Sequence, residues 1–214
     1  EGAIADRAYW KVLFGLAEKH DFKIFADECY SEIYRDEPPL GALQMAAELG
    51  ADPERVLVFH SLSKRSNLPG LRSGFVAGGP KSIAKVKELR AYAGAPLPLP
   101  IQKVSARLWD DEEHVIASRK LYQEKYKIAD QVFAGANGYT PPAGGFFLWL
   151  NVQDGEAAAL RLWQETGIRV VPGGYFAVEV DGKNPASEYI RVAMVTEKQE
   201  LHRALTTLRD CLMG

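Results

Sequence analysis

Two short apolar runs of this chain are each followed at once by polar side chains whose types could do chemistry together. Asp27 and Tyr30 follow the first run, and Ser61 and Lys64 follow the second. A lysine amine can hold an aldehyde as a Schiff base when the amine is neutral. A carboxylate can keep the nitrogen of a heteroaromatic ring protonated, which lets the ring accept electrons. The two sets together favour a bound cofactor that carries a ring nitrogen and an aldehyde.

A cation that could hold a phosphate lies close to the second set in sequence. Arg72 comes eight residues after Lys64, beyond a Pro69-Gly70 turn that can fold it back. An arginine binds phosphate through two parallel hydrogen bonds, and the Ser61 hydroxyl can add a third. The cations Arg65 and Arg72 would also favour the neutral form of the lysine amine, because like charges repel.

The first part of the chain alternates between helical spacing and short apolar runs. The spacing of apolar residues predicts helices over 6–20, 40–50 and 81–92. Short β-forming runs predict strands at Phe22–Ala26, Val56–Phe59 and Gly74–Ala77. This alternation predicts an α/β unit with a mostly parallel sheet, in which ligands bind at the carboxyl ends of the strands. Because three strands make a small open sheet with an exposed edge, we expect a further N-terminal portion of this domain.

The second part of the chain has a different pattern. A long polar helical region is predicted over roughly 101–134, followed by three strands and two helices, at Gly145–Leu150, 156–166, Ile168–Val171, Tyr189–Val195 and 198–213. This order is typical of an α+β unit. We therefore expect two domains, the C-terminal half of a large domain over residues 1–112 and a small α+β domain over residues 113–214.

Composition excludes several classes of protein. The net charge is −2, and basic residues form no stripe that would favour binding to nucleic acid. The sequence contains no run of 18 apolar residues, so it predicts no membrane span. The cysteines Cys29 and Cys211 have no CxxC partner, and the four histidines have no ligand spacing, so we expect neither a disulfide framework nor a metal site.

Each candidate side chain also has a purely structural interpretation. Asp27 could cap a turn, Tyr30 could pack at the sheet edge, and Ser61 could be a local turn residue. Arg72 could pair with a surface acid, and Arg191, on a half-apolar strand, could pair with a structural glutamate. Lysines in general are mostly solvated. The combination of these residues at two predicted strand ends, rather than any one of them, favours the functional interpretation.

Aromatic residues and cysteine are expected to be structural. Phe146, Phe147 and Trp149 are predicted to be core rather than a stacking platform. Cys29 is predicted to be a small core residue and not a nucleophile.

The motifs, taken in order, resemble those of a known enzyme family. Asp27-Glu28-Cys29-Tyr30, then Ser61-Leu62-Ser63-Lys64, then Gly70-Leu71-Arg72-Ser73-Gly74 resemble the class I/II aminotransferases of pyridoxal-phosphate fold type I. Val171-Pro172-Gly173-Gly174 and Tyr189-Ile190-Arg191-Val192 also resemble family motifs. Within the family, the run from His60 to Phe75 is most similar to N-succinyldiaminopimelate aminotransferases of lysine biosynthesis.

The resemblance implies a cofactor, pyridoxal 5'-phosphate, and a role for each matching residue. Lys64 resembles the lysine that forms the Schiff base and then moves the proton. Asp27 resembles the partner of the ring nitrogen, Tyr30 the phenol on the ring oxygen, and Ser61 and Arg72 the phosphate ligands. Arg191 resembles the arginine that binds the substrate α-carboxylate.

The function implied by the resemblance is transfer of an amino group between an amino acid and a 2-oxo acid, in a cytoplasmic homodimer. Two alternatives stay open. One is another reaction of the same fold type, such as that of a β-lyase, racemase or decarboxylase, because the same lysine serves all of them. The other is a catalytically incomplete fragment, because the family's N-terminal half supplies a phosphate cradle and a ring that stacks on the cofactor.

Overall fold

The computed structural model describes residues 2–213 as two compact units. One unit comprises residues 4–119, and the other comprises residues 2–3 and 120–213. Glu1 and Gly214, the outermost residues of the two predicted domains, lie outside the described residues. The assignment of a large domain to 1–112 and a small domain to 113–214 stays a prediction.

The first unit has the α/β composition that its sequence predicts. Its helices are α1 (Arg7–Lys19), α2 (Ala42–Leu49), the single turn α3 (Leu62–Arg65), α4 (Pro80–Tyr92) and α5 (Leu99–Asp110). Its strands are β1 (Ile24–Asp27), β2 (Val56–Ser61) and β3 (Gly74–Gly78), in the spatial order β1-β2-β3. All three predicted strands are confirmed to within two residues at either end.

The direction of β3 differs from the expectation of a parallel sheet. β1 pairs with β2 in parallel, with Asp27 opposite Phe59, whereas β3 pairs with β2 antiparallel, with Gly74 opposite Ser61. The chain between β2 and β3 contains only α3 and a 3-10 turn at Pro69–Leu71, which is too little for a parallel crossover. Gly74 is required at this pairing, because a Cβ atom there would lie 2.3 Å from the carbonyl oxygen of His60.

The core of the first unit lies on one face of this sheet. Side chains of α1 and α2 pack there against alternate residues of the strands: Trp10, Phe14, Ala17, Ala42, Met45, Ala46, Ile24, Val56 and Val58. The Asp6 carboxylate caps α1 by accepting a hydrogen bond from the Tyr9 amide at 2.7 Å, as its position before the helix predicts. Phe25 points the other way and is 69% exposed, so β1 is apolar on both faces, as buried parallel strands are.

The polar helical region predicted over roughly 101–134 contains two helices. α5 ends at Asp110, and α6 (Glu113–Val132) begins three residues later. The Asp111 backbone is extended, and its carboxylate accepts a hydrogen bond from the Glu113 amide at 3.0 Å. An aspartate side chain that bonds to a nearby backbone amide competes with continuation of the helix. The spacing of polar residues does not show this competition, so it did not reveal the break.

The second unit is the predicted α+β arrangement. It contains β4 (Phe147–Asn151), α7 (Gly155–Thr166), β5 (Val171–Pro172), β6 (Tyr189–Ala193) and α8 (Lys198–Leu212), with an antiparallel sheet in the order β4-β6-β5. The strand predicted at Ile168–Val171 begins only at Val171 and has two residues, because a 3-10 turn follows directly at Gly173–Phe176.

The core of the second unit lies between one face of its sheet and its helices. Leu148, Leu150, Ile190 and Met194 are each fully buried there, packed against residues of α7 and α8. The alternate residues of β4 and β6 therefore face away from this core, among them Arg191. Across residues 2–213, no helix is both long and apolar enough to cross a membrane.

Candidate active site

Lys64 lies on the single helical turn that follows β2. The strand ends at Ser61, whose hydroxyl accepts a hydrogen bond from the Ser63 amide at 3.0 Å and so caps the turn. The Lys64 side chain is half-buried, and its Nζ lies 5.9 Å from the centroid of the Tyr30 ring. The structure therefore brings together two of the residues that the sequence assigned to one site.

Asp27 ends the neighbouring strand β1, at the same edge of the sheet. Its Oδ1 accepts a hydrogen bond from the Cys29 amide at 3.1 Å, which begins the turn leading to Tyr30. The backbone continues this turn with a hydrogen bond from the Glu28 amide to the Phe59 carbonyl at 2.9 Å, which ties it to β2. The Asp27 carboxylate is exposed and can accept a further donor.

The Cys29 thiol reports that both charges are close to it. Burial, a hydrogen bond to Asp27 and the negative charge of Asp27 together raise its pKa to about 12, against the opposing positive charge of Lys64. Asp27 and Lys64 thus lie at and just beyond the carboxyl ends of two adjacent parallel strands. Its raised pKa also keeps the thiol protonated, in agreement with the expectation that Cys29 is not a nucleophile.

Ser61 and Arg72 both lie at the corner between β2 and β3. Ser61 pairs with Gly74, two residues beyond Arg72. Arg72 has a left-handed backbone, with φ of +52°, and its exposed guanidinium donates to the Pro69 carbonyl at 2.7 Å. A left-handed conformation is uncommon for a residue other than glycine and costs about 1 kcal/mol or more, so this corner stores strain of the kind found at ligand-binding sites.

The segment that carries Lys64 is fixed from behind by Arg65. The Arg65 side chain is 6% exposed, and its guanidinium donates to the carbonyls of Leu108 at 2.7 Å and Trp109 at 3.2 Å, at the end of α5. It also pairs with the Glu112 carboxylate. The expectation that Arg65 serves as a cation for the Lys64 amine is therefore corrected, since its charge is directed to α5.

Ser66 and His114 extend this attachment. The His114 ring joins the buried Ser66 hydroxyl at 2.8 Å to the Asp111 carboxylate at 2.9 Å. The hydrogen bond from His114 is the main reason that the pKa of Asp111 lies below its usual value. The two residues that follow Lys64, Arg65 and Ser66, thus both form hydrogen bonds with residues at the corner between α5 and α6.

Arg191 lies in the second unit, in a setting unlike that of Arg65. It is half-buried on the central strand β6, on the face opposite the core. Its Cζ lies 4.2 Å from the ring centroid of Phe147 and 3.8 Å from that of Phe176. Among residues 2–213 no carboxylate or carbonyl accepts a hydrogen bond from its guanidinium. The structural alternative, a pairing with a glutamate, is therefore wrong for the described part of the chain.

Sequence reasoning missed the two aromatic residues around Arg191. Phe146 is buried, as predicted, but Phe147 and Trp149 are half-buried on the outer face of β4. The alternation of β4, in which Leu148 and Leu150 face the core, was the signal that could have assigned Phe147 to the other face. No comparable signal existed for Phe176, which belongs to a turn and not to a strand.

The side chains of the first unit offer a donor set that fits pyridoxal 5'-phosphate. An amine, an exposed carboxylate, a phenol and a guanidinium match its aldehyde, ring nitrogen, ring oxygen and phosphate in kind. In the described chain, no three His, Cys, Asp or Glu side chains lie close enough to form a metal site.

Known proteins resemble the chain over nearly its full length. The family model described as aminotransferase class I and II matches residues 1–208. The 4-dedimethylamino-4-oxo-anhydrotetracycline transaminase OxyQ of Streptomyces rimosus is 30% identical over 85% of this chain and 49% of that protein. An LL-diaminopimelate aminotransferase of Nitratidesulfovibrio vulgaris is 25% identical over 97% of the chain and 53% of that protein. The chain thus spans about half the length of these relatives.

Solved structures show the same fold. An aminotransferase from Neisseria meningitidis is 41% identical with a TM-score of 0.94, over 99% of this chain and 55% of that one. A probable N-succinyldiaminopimelate aminotransferase from Thermus thermophilus is 26% identical with a TM-score of 0.85, over 99% of this chain and 55% of that one.

Proposed function

The chain belongs to the class I and II aminotransferases, and from this premise we propose that the protein containing it transfers an amino group between an amino acid and a 2-oxo acid. The observation that carries the proposal is that Asp27 ends β1 and Lys64 lies on the turn directly after the adjacent parallel strand β2. An amine and an acid so placed suit the two ends of a pyridine aldehyde.

We propose that five residues of the first unit hold pyridoxal 5'-phosphate. Lys64 would hold its aldehyde, Asp27 its ring nitrogen, Tyr30 its ring oxygen, and Ser61 and Arg72 its phosphate. When bound, the cofactor supplies an electron-accepting ring that stabilises a carbanion at the substrate Cα.

The protein's own groups do the rest. With the cofactor bound, the Lys64 amine would take a proton from the substrate Cα and later return it, as a general base and then a general acid. Arg191 binds the α-carboxylate through its two parallel N–H donors. The attachment of Arg65 and Ser66 to the corner between α5 and α6 keeps the Lys64 turn in place during this transfer.

For the substrate we propose an N-acylated or free diaminopimelate, with N-succinyldiaminopimelate first. The support is the resemblance of His60 to Phe75 to that group, together with the names of two relatives, one for N-succinyldiaminopimelate and one for LL-diaminopimelate. OxyQ is named for a tetracycline precursor, so relatives at similar identity take different substrates. We further propose that the full-length protein is a cytoplasmic homodimer, as the resemblance implies.

The test compares Lys64→Ala with Lys87→Ala, an exposed lysine on α4, in the full-length protein. Pyridoxal phosphate is added, the protein is reduced with borohydride, and the modified peptide is identified by mass spectrometry. We expect the label on Lys64 and a loss of turnover of about 100- to 10,000-fold in Lys64→Ala, because the general base is removed. Unchanged turnover in Lys64→Ala, or a label on another lysine, contradicts the proposal.

Two further measurements separate the alternatives. Incubation with an amino acid alone distinguishes a lyase, which releases ammonia and pyruvate without an oxo-acid acceptor. Titration of the 214-residue chain with pyridoxal phosphate distinguishes a fragment, which binds none while the full-length protein binds it.

A further inference from the structure

Arg191 differs from Arg65 and Arg119, two other arginines that stack on aromatic rings and are not exposed; Arg169, over Trp163 at 5.5 Å, also stacks but is exposed. Arg65 lies over Trp109 with its Cζ 5.0 Å from the centroid, and Arg119 lies over Tyr34 at 4.4 Å. Each of these two also pairs with a carboxylate, Arg65 with Glu112 and Arg119 with Glu32. Arg191 lies over two rings at shorter distances and, within residues 2–213, pairs with no acid.

A half-buried guanidinium without an acceptor is costly unless an anion binds to it. The group carries five N–H donors and no acceptor, and burial removes part of their hydration. The faces of phenyl rings attract the cation, but the rings accept no hydrogen bond from the N–H groups in the plane of the guanidinium. They therefore hold the guanidinium and leave its in-plane fork open, whereas a carboxylate would occupy the fork and neutralise the charge.

The two rings are themselves fixed by the fold. Phe147 lies on β4, next to the central strand that carries Arg191. Phe176 ends the turn Gly173–Phe176, where the Asn184 amide donates to the Gly174 carbonyl at 2.8 Å. A Cβ atom at Gly173 would lie 2.5 Å from the Ala186 carbonyl oxygen, so this close approach needs glycine.

We propose that Phe147 and Phe176 are positioning residues that hold the Arg191 guanidinium for one planar carboxylate. The proposal rests on the proposed function of Arg191 as the group that binds the α-carboxylate of the amino acid. Its physical content is preorganisation: the rings restrict the guanidinium before the ligand arrives, so less side-chain entropy is lost on binding. It assigns to these aromatic residues a share of substrate affinity, without contact between them and the reacting atoms.

The experiment uses the 214-residue chain labelled with ¹⁵N and propionate as the probe, with propionamide as its neutral counterpart. The Nε–Hε signal of Arg191, identified by its absence in Arg191→Leu, is followed during titration. We expect saturable shifts with propionate and none with propionamide. Phe176→Leu and Phe147→Leu should each raise the dissociation constant about 2- to 30-fold, as expected from the loss of one cation–π contact.

Three comparisons separate positioning from a general structural role. Phe176→Tyr keeps a ring and should bind propionate as the unchanged chain does. Tyr175→Leu is the matched control, because Tyr175 belongs to the same turn but its hydroxyl donates to Glu156 at 2.8 Å. The ¹⁵N relaxation of the Arg191 Nε should indicate a rigid group in the unchanged chain and a mobile one in the leucine variants.

The outcomes distinguish this proposal from the proposed function. If propionate binds through Arg191 but Phe176→Leu changes neither affinity nor mobility, the positioning proposal is wrong and the carboxylate site stands. If Arg191→Leu leaves propionate binding unchanged, both assignments to this site are wrong, while the labelling of Lys64 remains a separate test. Phe176 is 48% exposed, so Phe176→Leu decides the matter even where Phe147→Leu fails to fold.

Discussion

Arg65 and Arg191 show two opposite ways of holding a positive charge, one in each compact unit. Arg65 donates to two carbonyls and pairs with Glu112, so its donors are used within the chain. Arg191 is held by two phenyl rings that take none of its donors. The first arrangement joins the Lys64 turn to α5, and the second leaves a charge ready for a ligand.

The difference teaches how to separate structural cations from binding cations in a fold. Stacking on a ring does not decide, because Arg65, Arg119, Arg191 and the exposed Arg169 all stack. Among the three of these that are not exposed, Arg65, Arg119 and Arg191, the presence of an internal acid does. Removal of a structural cation lowers the stability of the protein, whereas removal of a binding cation lowers the affinity for the ligand. Each of the following predictions tests this difference.

Arg65→Met should have the largest effect. We expect it to lower the free energy of unfolding by about 3 kcal/mol, because two carbonyls at the end of α5 lose a charged donor. Urea denaturation followed by tryptophan fluorescence measures the change. Arg107→Met, at an exposed position of α5, is the matched control and should change the free energy of unfolding by less than about 0.5 kcal/mol. Equal effects for the two variants would show that Arg65 is not structural.

The reactivity of Cys29 should show the next largest effect. With its pKa raised to about 12, the thiol is almost wholly protonated at pH 8, so alkylation should be about 100-fold slower than for an unhindered cysteine. In a Cys211→Ser background, the alkylation rate of Cys29 in the folded chain should still rise with pH above 10. In the same chain unfolded in urea, the alkylation rate should have reached its plateau by that pH.

Asp27→Asn sharpens the same measurement. Asp27 raises the pKa of Cys29 by a hydrogen bond and by its charge, so its replacement should lower that pKa and speed alkylation at pH 8. A rate unchanged by Asp27→Asn would mean that the acid does not act on this thiol.

His114→Ala should have a smaller effect on stability. The buried Ser66 hydroxyl loses its partner at 2.8 Å, and we expect a loss of about 1 kcal/mol in the free energy of unfolding. His202→Ala, at an exposed position of α8, is the control for loss of a histidine. The comparison of urea midpoints at one pH decides whether the Ser66 to His114 bond supports the Lys64 turn.

Local patterns in the sequence predicted most of the elements but not the direction of one strand. The apolar runs before Asp27 and Ser61 and after Ser73 became β1, β2 and β3 because burial of such runs requires strands. The residues of an apolar run do not indicate the direction of the strand they form, so they could not show that β3 pairs antiparallel with β2. That outcome depends on the turn at Pro69–Leu71 and on the left-handed Arg72.

The candidate site was predictable where chemistry follows a strand end and unpredictable where contacts are distant in sequence. Lys64 and Asp27 were found because the carboxyl ends of adjacent parallel strands share one edge. The bonds of Arg65 join residues more than 40 positions apart, and nothing near Arg65 indicates them. Phe176 likewise reaches Arg191 only through the pairing of β5 with β6.

Arg191→Met should have the smallest effect on stability and is the sharpest test of the comparison. Within residues 2–213 its guanidinium has no acceptor to lose, and a methionine side chain can pack against the same two rings, so we expect a change of less than about 0.5 kcal/mol in the free energy of unfolding. The same variant should lose propionate binding altogether. A loss of stability as large as that of Arg65→Met would mean that Arg191 is structural too, and the distinction between a charge neutralised within the chain and a charge kept for a ligand would fail.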